Sequence, residues 1–227
     1  MDNLQLNQKR EKLPGLSAFF PAHNEMGNVG NLVRRALEVL LAIAQRIEII
    51  VVDDGSTDST AAAVEELIRL HPEVRLIGHR ENRGYGAALR TGFASARESV
   101  VFFTDGDGQF DIGEIDRLIP LLDSAEIVAG YRLKRRDPLI RSVNACFFNL
   151  LIRALFGLNH RDINCAFKLI KREFLEAIAL TSNGALINAE ILLKARRSGF
   201  KIAQIGVHHY PRPAGRQTGA NLDVIFR

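Results

Sequence analysis

Five short apolar runs, each closed by a polar turn, constrain this chain more than any other feature of it. They cover residues 16–22, 47–52, 74–78, 100–104 and 126–131. Each is too short for a buried helix, and β-branched and aromatic residues dominate them, so all five read as strands. Between them the apolar spacing turns helical. Residues 28–44 place Val29, Leu32, Val33, Ala36, Leu37, Leu40 and Leu41 on one face. A second helix runs from a cap at Asp58 or Ser59 to about Leu70, where His71-Pro72 stops it. Helices are also predicted over residues 85–97 and 112–122. Strands apolar on both faces, alternating with helices, define an α/β fold with a mostly parallel central sheet flanked by helices. Right-handed crossovers then gather the strand C-terminal ends on one edge, where ligands bind.

Beyond residue 132 the pattern changes. Residues 138–156 predict a long amphipathic helix, 167–170 a strand, 173–179 and 185–198 helices, and 202–207 a last strand. Residues 211–218 are rich in Pro, Gly and Arg and read as a loop. A length of 227 residues fits one domain. The expected division is a polar lead-in over 1–14, a domain over 15–218 with halves 15–132 and 133–218, and a helix start cut short over 219–227.

A formal charge of +4 is too modest to point to nucleic acid. The basic residues cluster, however: Lys134, Arg135, Arg136 and Arg141 mid-chain, and Arg212, Arg216 and Arg227 near the end. Such clusters suit phosphates or an anionic membrane surface, or simply form a solvated face. Cys146 and Cys165 lie among apolar residues and read as buried thiols, which fits a reducing compartment. The polar opening reads without a secretory signal. The nearest thing to a membrane span, residues 139–158, is interrupted by Arg141 and Arg153. Its apolar stripe faces either the core or a membrane interface. The expectation is a cytoplasmic protein, peripheral at the inner face of a membrane.

Two acidic clusters stand at strand ends. The first is Asp53-Asp54-Gly55-Ser56-Thr57-Asp58, after the second run. Asp54 there faces the binding edge and can accept from a nucleobase N–H or a ribose hydroxyl, whereas Ser56 and Asp58 read first as helix-capping residues. The second is Thr104-Asp105-Gly106-Asp107-Gly108-Gln109, after the fourth run. Carboxylates two residues apart on extended chain point to the same side. Buried like charges repel, so a cation belongs between them. Oxygen ligands at this spacing suit Mg²⁺ or Mn²⁺, with part of the shell supplied by phosphate, and Gln109 can add a neutral oxygen. The plain alternative is an Asp/Gly surface turn.

These elements, taken in order, resemble family 2 glycosyltransferases. Pro21-Ala22-His23-Asn24-Glu25 resembles the family's P-x-x-N-E opening, Val52-Asp53-Asp54-Gly55-Ser56 its V-D-D-G-S element, and Asn82-Arg83-Gly84-Tyr85-Gly86 its N-x-G-x-G helix start. Asp105-Gly106-Asp107-Gly108-Gln109 resembles its D-x-D metal motif, with the Gln typical of the polyprenol-phosphate sugar synthase branch. The resemblance covers about residues 15–218 and implies a GT-A, Rossmann-like fold. It implies that Pro21, His23, Glu25, Val52 and Asp54 line the nucleoside pocket, and that Asp105, Asp107 and Gln109 hold the metal. Gly106 lets the backbone approach the donor. His23 departs from the aromatic residue often found at its place.

Further matches lie in the second half. Arg132, in Gly130-Tyr131-Arg132, is expected to meet phosphate or sugar, or else to pair with Asp137. Arg141 resembles an acceptor-phosphate ligand of the polyprenol-phosphate branch. Asp162, in Asp162-Ile163-Asn164-Cys165-Ala166-Phe167-Lys168, is expected to orient donor sugar or acceptor. Glu190 stands where many members carry an acid near the acceptor; it would act as a general base for a hydroxyl acceptor, or pair with Lys194 one turn on. The tail resembles a mobile acceptor loop in which Arg212 and Arg216 close over phosphates.

The implied reaction is inverting transfer of a hexose from a nucleotide-diphosphate sugar, of the GDP-mannose or UDP-glucose type, to polyprenyl phosphate. An alternative acceptor is a sugar or lipid hydroxyl, with Glu190 or Asp162 as base. Two other readings compete with it: a dinucleotide-binding oxidoreductase, prompted by Gly84-Tyr85-Gly86, and a non-catalytic sugar-nucleotide sensor. The oxidoreductase reading is weakened because Leu89 replaces the third fingerprint glycine and the motif follows the third strand rather than the first.

Overall fold

In the computed structural model, residues 11–133 and 157–215 are described. The predicted helix over 138–156 and the helix start over 219–227 lie outside them, as do Arg141, Cys146 and Arg216. Strands β1 (Leu16–Ala22), β2 (Ile47–Asp53), β3 (Val74–Gly78), β4 (Val100–Thr104), β5 (Ile127–Arg132), β6 (Phe167–Lys171) and β7 (Ile202–Val207) form one sheet in the order β3-β2-β1-β4-β6-β5-β7. Helices α1 (Met26–Ile43), α2 (Thr60–Ile68), α3 (Tyr85–Ser95), α4 (Arg172–Ala177) and α5 (Ile187–Arg197) flank it.

Side-chain alternation along the strands builds two cores. Leu16, Ala18, Phe20, Ile49, Val51 and Phe102 face α1 and α2. Phe19, Ile50, Val52, Val101 and Phe103 face α3, α4 and α5. Both faces are covered, which is why these strands read as unbroken apolar runs. Phe19, Phe93 and Phe103 form an aromatic trio with centroids 4.8 to 5.4 Å apart.

Two expectations need correction. The segment 112–122 is not an α-helix but two 3-10 segments, Ile112–Arg117 and Ile119–Asp123. Pro120, which has no N–H to donate, opens the second, and the Asp111 side chain caps the first by accepting from Gly113 N. Ahead of β1, Leu13 bridges to Ala44, and its N–H donates to Ile43 O at 2.9 Å. Nor do all strand C-terminal ends share one edge. β6 runs antiparallel to both neighbours, β4 and β5. Chain leaving β5 at the binding edge re-enters β6 at that same edge, so the start of β6, with Phe167 opposite Thr104, lies there.

This reversal positions the site. Between β1 and β4 the chain order switches direction, the place where open α/β sheets leave a crevice. The turns after β1 and β4 flank it. The reversed β6 brings residues 162–166 alongside.

Candidate active site

The first acidic turn is saturated from within. Asp54 is 4% exposed. Its carboxylate accepts from His79 Nδ1 at 2.6 Å, Arg83 N at 2.9 Å and Gly84 N at 2.9 Å. Nothing in the sequence marks His79 except its place just after β3. Asp53 accepts from Ser56 N at 3.0 Å, and Asp58 caps α2 by accepting from Thr60 N at 2.9 Å. Gly55 needs its positive φ of 68° and would place a Cβ 2.5 Å from the Glu81 carbonyl carbon. The turn thus frames the 81–84 loop.

The β1 end joins it. His23 Nδ1 donates to Asp54 O at 2.9 Å, and Asn24 accepts from Thr57 N at 2.8 Å. Val52 is wholly buried in the core against α3, so a ligand can meet its backbone but not its side chain. Pro21 O accepts from Gly106 N at 3.1 Å. A Cβ on Gly106 would sit 2.7 Å from that oxygen, so glycine there allows the two strand-end turns to touch.

The second acidic turn differs. Asp105 Oδ1 is buried and accepts no hydrogen bond. Burial first, then the Asp107 charge, pushes the Asp105 carboxyl up to about 7. Burial likewise raises Asp107, whose Oδ1 accepts from Gln109 N at 3.1 Å. Gln109 uses its amide nitrogen on Tyr210 O at 2.9 Å. The Tyr85 hydroxyl, buried beside Asp105, is pushed well above its usual range by burial and then by the Asp105 charge. Among the described residues no three His, Cys, Asp or Glu side chains converge as a metal cluster. The protein offers two carboxylates, one with a buried oxygen that no donor meets in hydrogen-bond geometry although the Tyr85 hydroxyl stands beside the group, and that suits a hard cation whose remaining ligands come from elsewhere.

Basic residues gather around this turn. Arg132, at the end of β5, grips Asp162 in bidentate fashion, Nε to Oδ2 at 2.7 Å and Nη2 to Oδ1 at 3.0 Å. Reversed β6 delivers Asp162 to the β5 end, whereas Asp137, the other expected partner, lies outside the described residues. Arg212 reaches Glu25 Oε1 at 2.6 Å through Nη2 and stands 4.0 Å from Asp107 Oδ2. Lys168 is fully buried, donating to Ile163 O and Cys165 O and, at 2.8 Å, to Asn188 Oδ1. Burial lowers its ammonium to about 8. The Cys165 thiol is pushed up to about 12, again by burial, as expected for an inert buried thiol.

Glu190 serves the fold. Its carboxylate accepts from Thr181 N and Oγ1, each at 2.9 Å, and Ser182 N at 2.8 Å, and pairs with Lys194 at 2.7 Å. Burial opposes ionisation, but Lys194 and the Ser182 and Thr181 donors outweigh it and hold the carboxyl at about 2. A group so fully engaged is a poor proton acceptor. The clamp fixes the 181–183 loop, whose Asn183 O accepts from Gly86 N at 2.6 Å at the start of α3. A Cβ on Gly86 would lie 2.5 Å from Ser182 O. The Gly84-x-Gly86 glycines therefore serve helix–loop packing, and the α3 amides that a dinucleotide pyrophosphate would need are already occupied.

A seven-stranded, mostly parallel sheet flanked by helices, with acidic turns at its switch point, has the architecture of the GT-A fold. Solved structures share this fold. One is glucosyl-3-phosphoglycerate synthase from Mycobacterium tuberculosis in complex with Mn²⁺, UDP and glucosyl-3-phosphoglycerate, with TM-score 0.68, 21% identity, and coverage of 88% of this chain and 73% of that one. The same enzyme with Mn²⁺ and UDP-glucose gives TM-score 0.70 at 20% identity, covering 91% and 73%. The glycosyl transferase family 2 model matches residues 17–179, and the chain belongs to that family. It is similar to dodecaprenyl-phosphate galacturonate synthase of Rhizobium johnstonii, 31% identical over 73% of this chain and 50% of the relative. It is also similar to polyprenol monophosphomannose synthase of Mycolicibacterium smegmatis, 30% identical over 91% and 83%. Glycosyltransferase AglD of Haloferax volcanii is 29% identical over 87% of this chain but only 33% of its own length. The chain thus spans only a third to a half of some of these relatives.

Proposed function

We propose that this chain transfers a hexose, with inversion, from a nucleotide-diphosphate sugar to polyprenyl phosphate. The observation that carries the proposal is the Asp105–Asp107 turn at the switch-point crevice, with a buried carboxylate oxygen that no protein donor satisfies. Relatives named as polyprenyl-phosphate sugar synthases support the acceptor, and neighbours crystallised with Mn²⁺ and UDP support the donor class.

A divalent ion, Mg²⁺ or Mn²⁺, fits Asp105 and Asp107, with Gln109 beside them. When bound, it supplies Lewis-acid charge neutralisation for the leaving diphosphate. The chain's own residues do the rest. Pro21, His23, Glu25, Asp54 and the Val52 backbone shape the nucleoside side of the crevice, Asp54 by holding the 83–84 amides in place. Arg132, oriented by Asp162, presents charge where phosphate or sugar lies. The acceptor phosphate oxygen attacks the anomeric carbon. The new carbon–oxygen bond forms as the bond to the diphosphate breaks, and the electron pair leaves on the nucleoside diphosphate. An anionic phosphate needs no base, which agrees with the engagement of Glu190 and Asp162 and disfavours a hydroxyl acceptor.

Arg141 and Arg216, outside the described residues, belong to the proposed acceptor side with Arg212. Among the described residues no helix is long and apolar enough to cross a membrane. Peripheral contact at the inner membrane face, where the lipid acceptor resides, is part of the proposal.

The test offers labelled GDP-mannose and UDP-glucose with Mn²⁺ to vesicles carrying polyprenyl phosphate, free polyprenol or neither. Label reaching only the phosphate-bearing lipid is the expected result. Transfer to polyprenol at an equal rate, or none with any donor, would refute the acceptor assignment.

A further inference from the structure

The acidic turn already has a cation beside it. Arg212 comes from the tail after β7, folds back, and donates through Nε to Ala214 O at 2.7 Å and through Nη2 to Glu25 Oε1 at 2.6 Å. Its Nη1 lies 4.0 Å from Asp107 Oδ2. The Arg212, Glu25 and Asp107 side chains are 12%, 10% and 16% exposed, so water screens the trio weakly.

The tail is fastened over this turn at several points. Tyr210 N donates to Gln109 O at 2.8 Å, and Asn28 Nδ2 donates to Ala214 O at 3.0 Å. Phe110 and His209 form an antiparallel bridge. Gly27 permits the approach, because a Cβ there would stand 2.9 Å from the Ala214 Cβ. The loop lies across both the start of α1 and the acidic turn, with its guanidinium turned inward.

We propose that Arg212 is the built-in counter-cation of the Glu25–Asp107 pair, and that a divalent ion arriving at Asp107 displaces it and releases the tail. This rests on the reading of Asp107 as a metal ligand. The physical reason is exclusion. A guanidinium and a divalent cation cannot share one face of Asp107 without strong repulsion at about 4 Å. With Arg212 in place the carboxylates tolerate one another. With the ion in place, its charge repels the guanidinium from Glu25 as well as from Asp107, because one guanidinium spans both carboxylates, and Arg212 becomes available for phosphate oxygens that arrive later. Metal loading and tail release are then one event, so the crevice opens to an acceptor only when the site is charged for a donor.

The probe is Mn²⁺ alone, titrated into the full chain and followed by the loss of free-ion paramagnetic resonance signal. Arg212→Gln is expected to bind Mn²⁺ about tenfold more tightly than the parent, because the competing cation is gone. This sign is opposite to the effect on transfer, which should fall. Hydrogen–deuterium exchange of the 209–215 amides in the parent should speed up on adding Mn²⁺, and in Glu25→Gln should be fast before any is added. Equal Mn²⁺ affinity in parent and Arg212→Gln, or tail amides indifferent to Mn²⁺, overturns the exchange model while leaving the metal reading intact. Undiminished Mn²⁺ binding in Asp107→Asn overturns both.

Discussion

Two turns of this molecule look alike in sequence and behave oppositely in structure. Asp53-Asp54-Gly55-Ser56 and Asp105-Gly106-Asp107-Gly108 each close a buried parallel strand with two carboxylates and at least one glycine. In the first, every carboxylate has internal donors, and Asp54 alone takes three. In the second, Asp105 keeps a buried oxygen with none. The first turn spends its charge on the fold. The second holds charge in reserve, at the expense of mutual repulsion. A strand-end acid is therefore a candidate ligand only once its internal donors have been counted.

The largest effect should come from the second turn. Asp107→Ala is expected to lower transfer about a thousandfold or more, by removing the group that aligns leaving-group charge. It should leave thermal unfolding without metal unchanged or slightly raised. A melting-temperature drop of many degrees with activity retained would invert the comparison.

The first turn should show the reverse. Asp54→Ala leaves buried His79 Nδ1 without its acceptor and removes the carboxylate that holds the Arg83 and Gly84 amides, and is expected to destabilise the chain by about 3 kcal/mol in denaturant unfolding. Asp105→Asn, which relieves like-charge repulsion, should raise the melting temperature in the presence of chelator. If both substitutions moved stability in the same direction, the distinction between framing and reserved carboxylates would fail.

Glu190 offers a smaller, pH-dependent contrast. Its folded-state value of about 2 lies below the ordinary 4.5, so its ionised form is favoured by folding. That stability is fully present above pH 4.5 and is lost as pH falls toward 2. Glu190→Gln should therefore be less stable than the parent at neutral pH, with the gap closing across that window. Acid titration of both proteins by circular dichroism measures it. A gap that persists unchanged at pH 2 would show that the clamp acts through packing rather than charge.

Much of the scaffold was legible because local rules decide it. Runs such as Ile49 to Val52 have to be buried on both faces, and Ser59-Thr60 and His71-Pro72 bound a helix whatever surrounds them. The acidic turns and their glycines were visible for the same reason, since chemistry at strand ends leaves a short-range trace. Gly84 and Gly86 were equally visible but open to two meanings. Only the approach of Ser182 and Asn183 shows that they serve packing. The 3-10 character of 112–122 was hidden, because apolar spacing there fits a helix and only the Asp111 cap and Pro120 argue otherwise.

By itself the sequence determined an α/β sheet, its strand-end acids and the family to which they point, because burial period and turn chemistry are properties of neighbouring residues. Tertiary structure alone decided that β6 runs backward, that Asp162 therefore meets Arg132, that Glu190 is consumed as a clamp and that Arg212 lies against Glu25. Those outcomes depend on which distant donors reach which acceptors. No local pattern encodes that pairing, since a carboxylate has the same spelling whether it is satisfied or waiting.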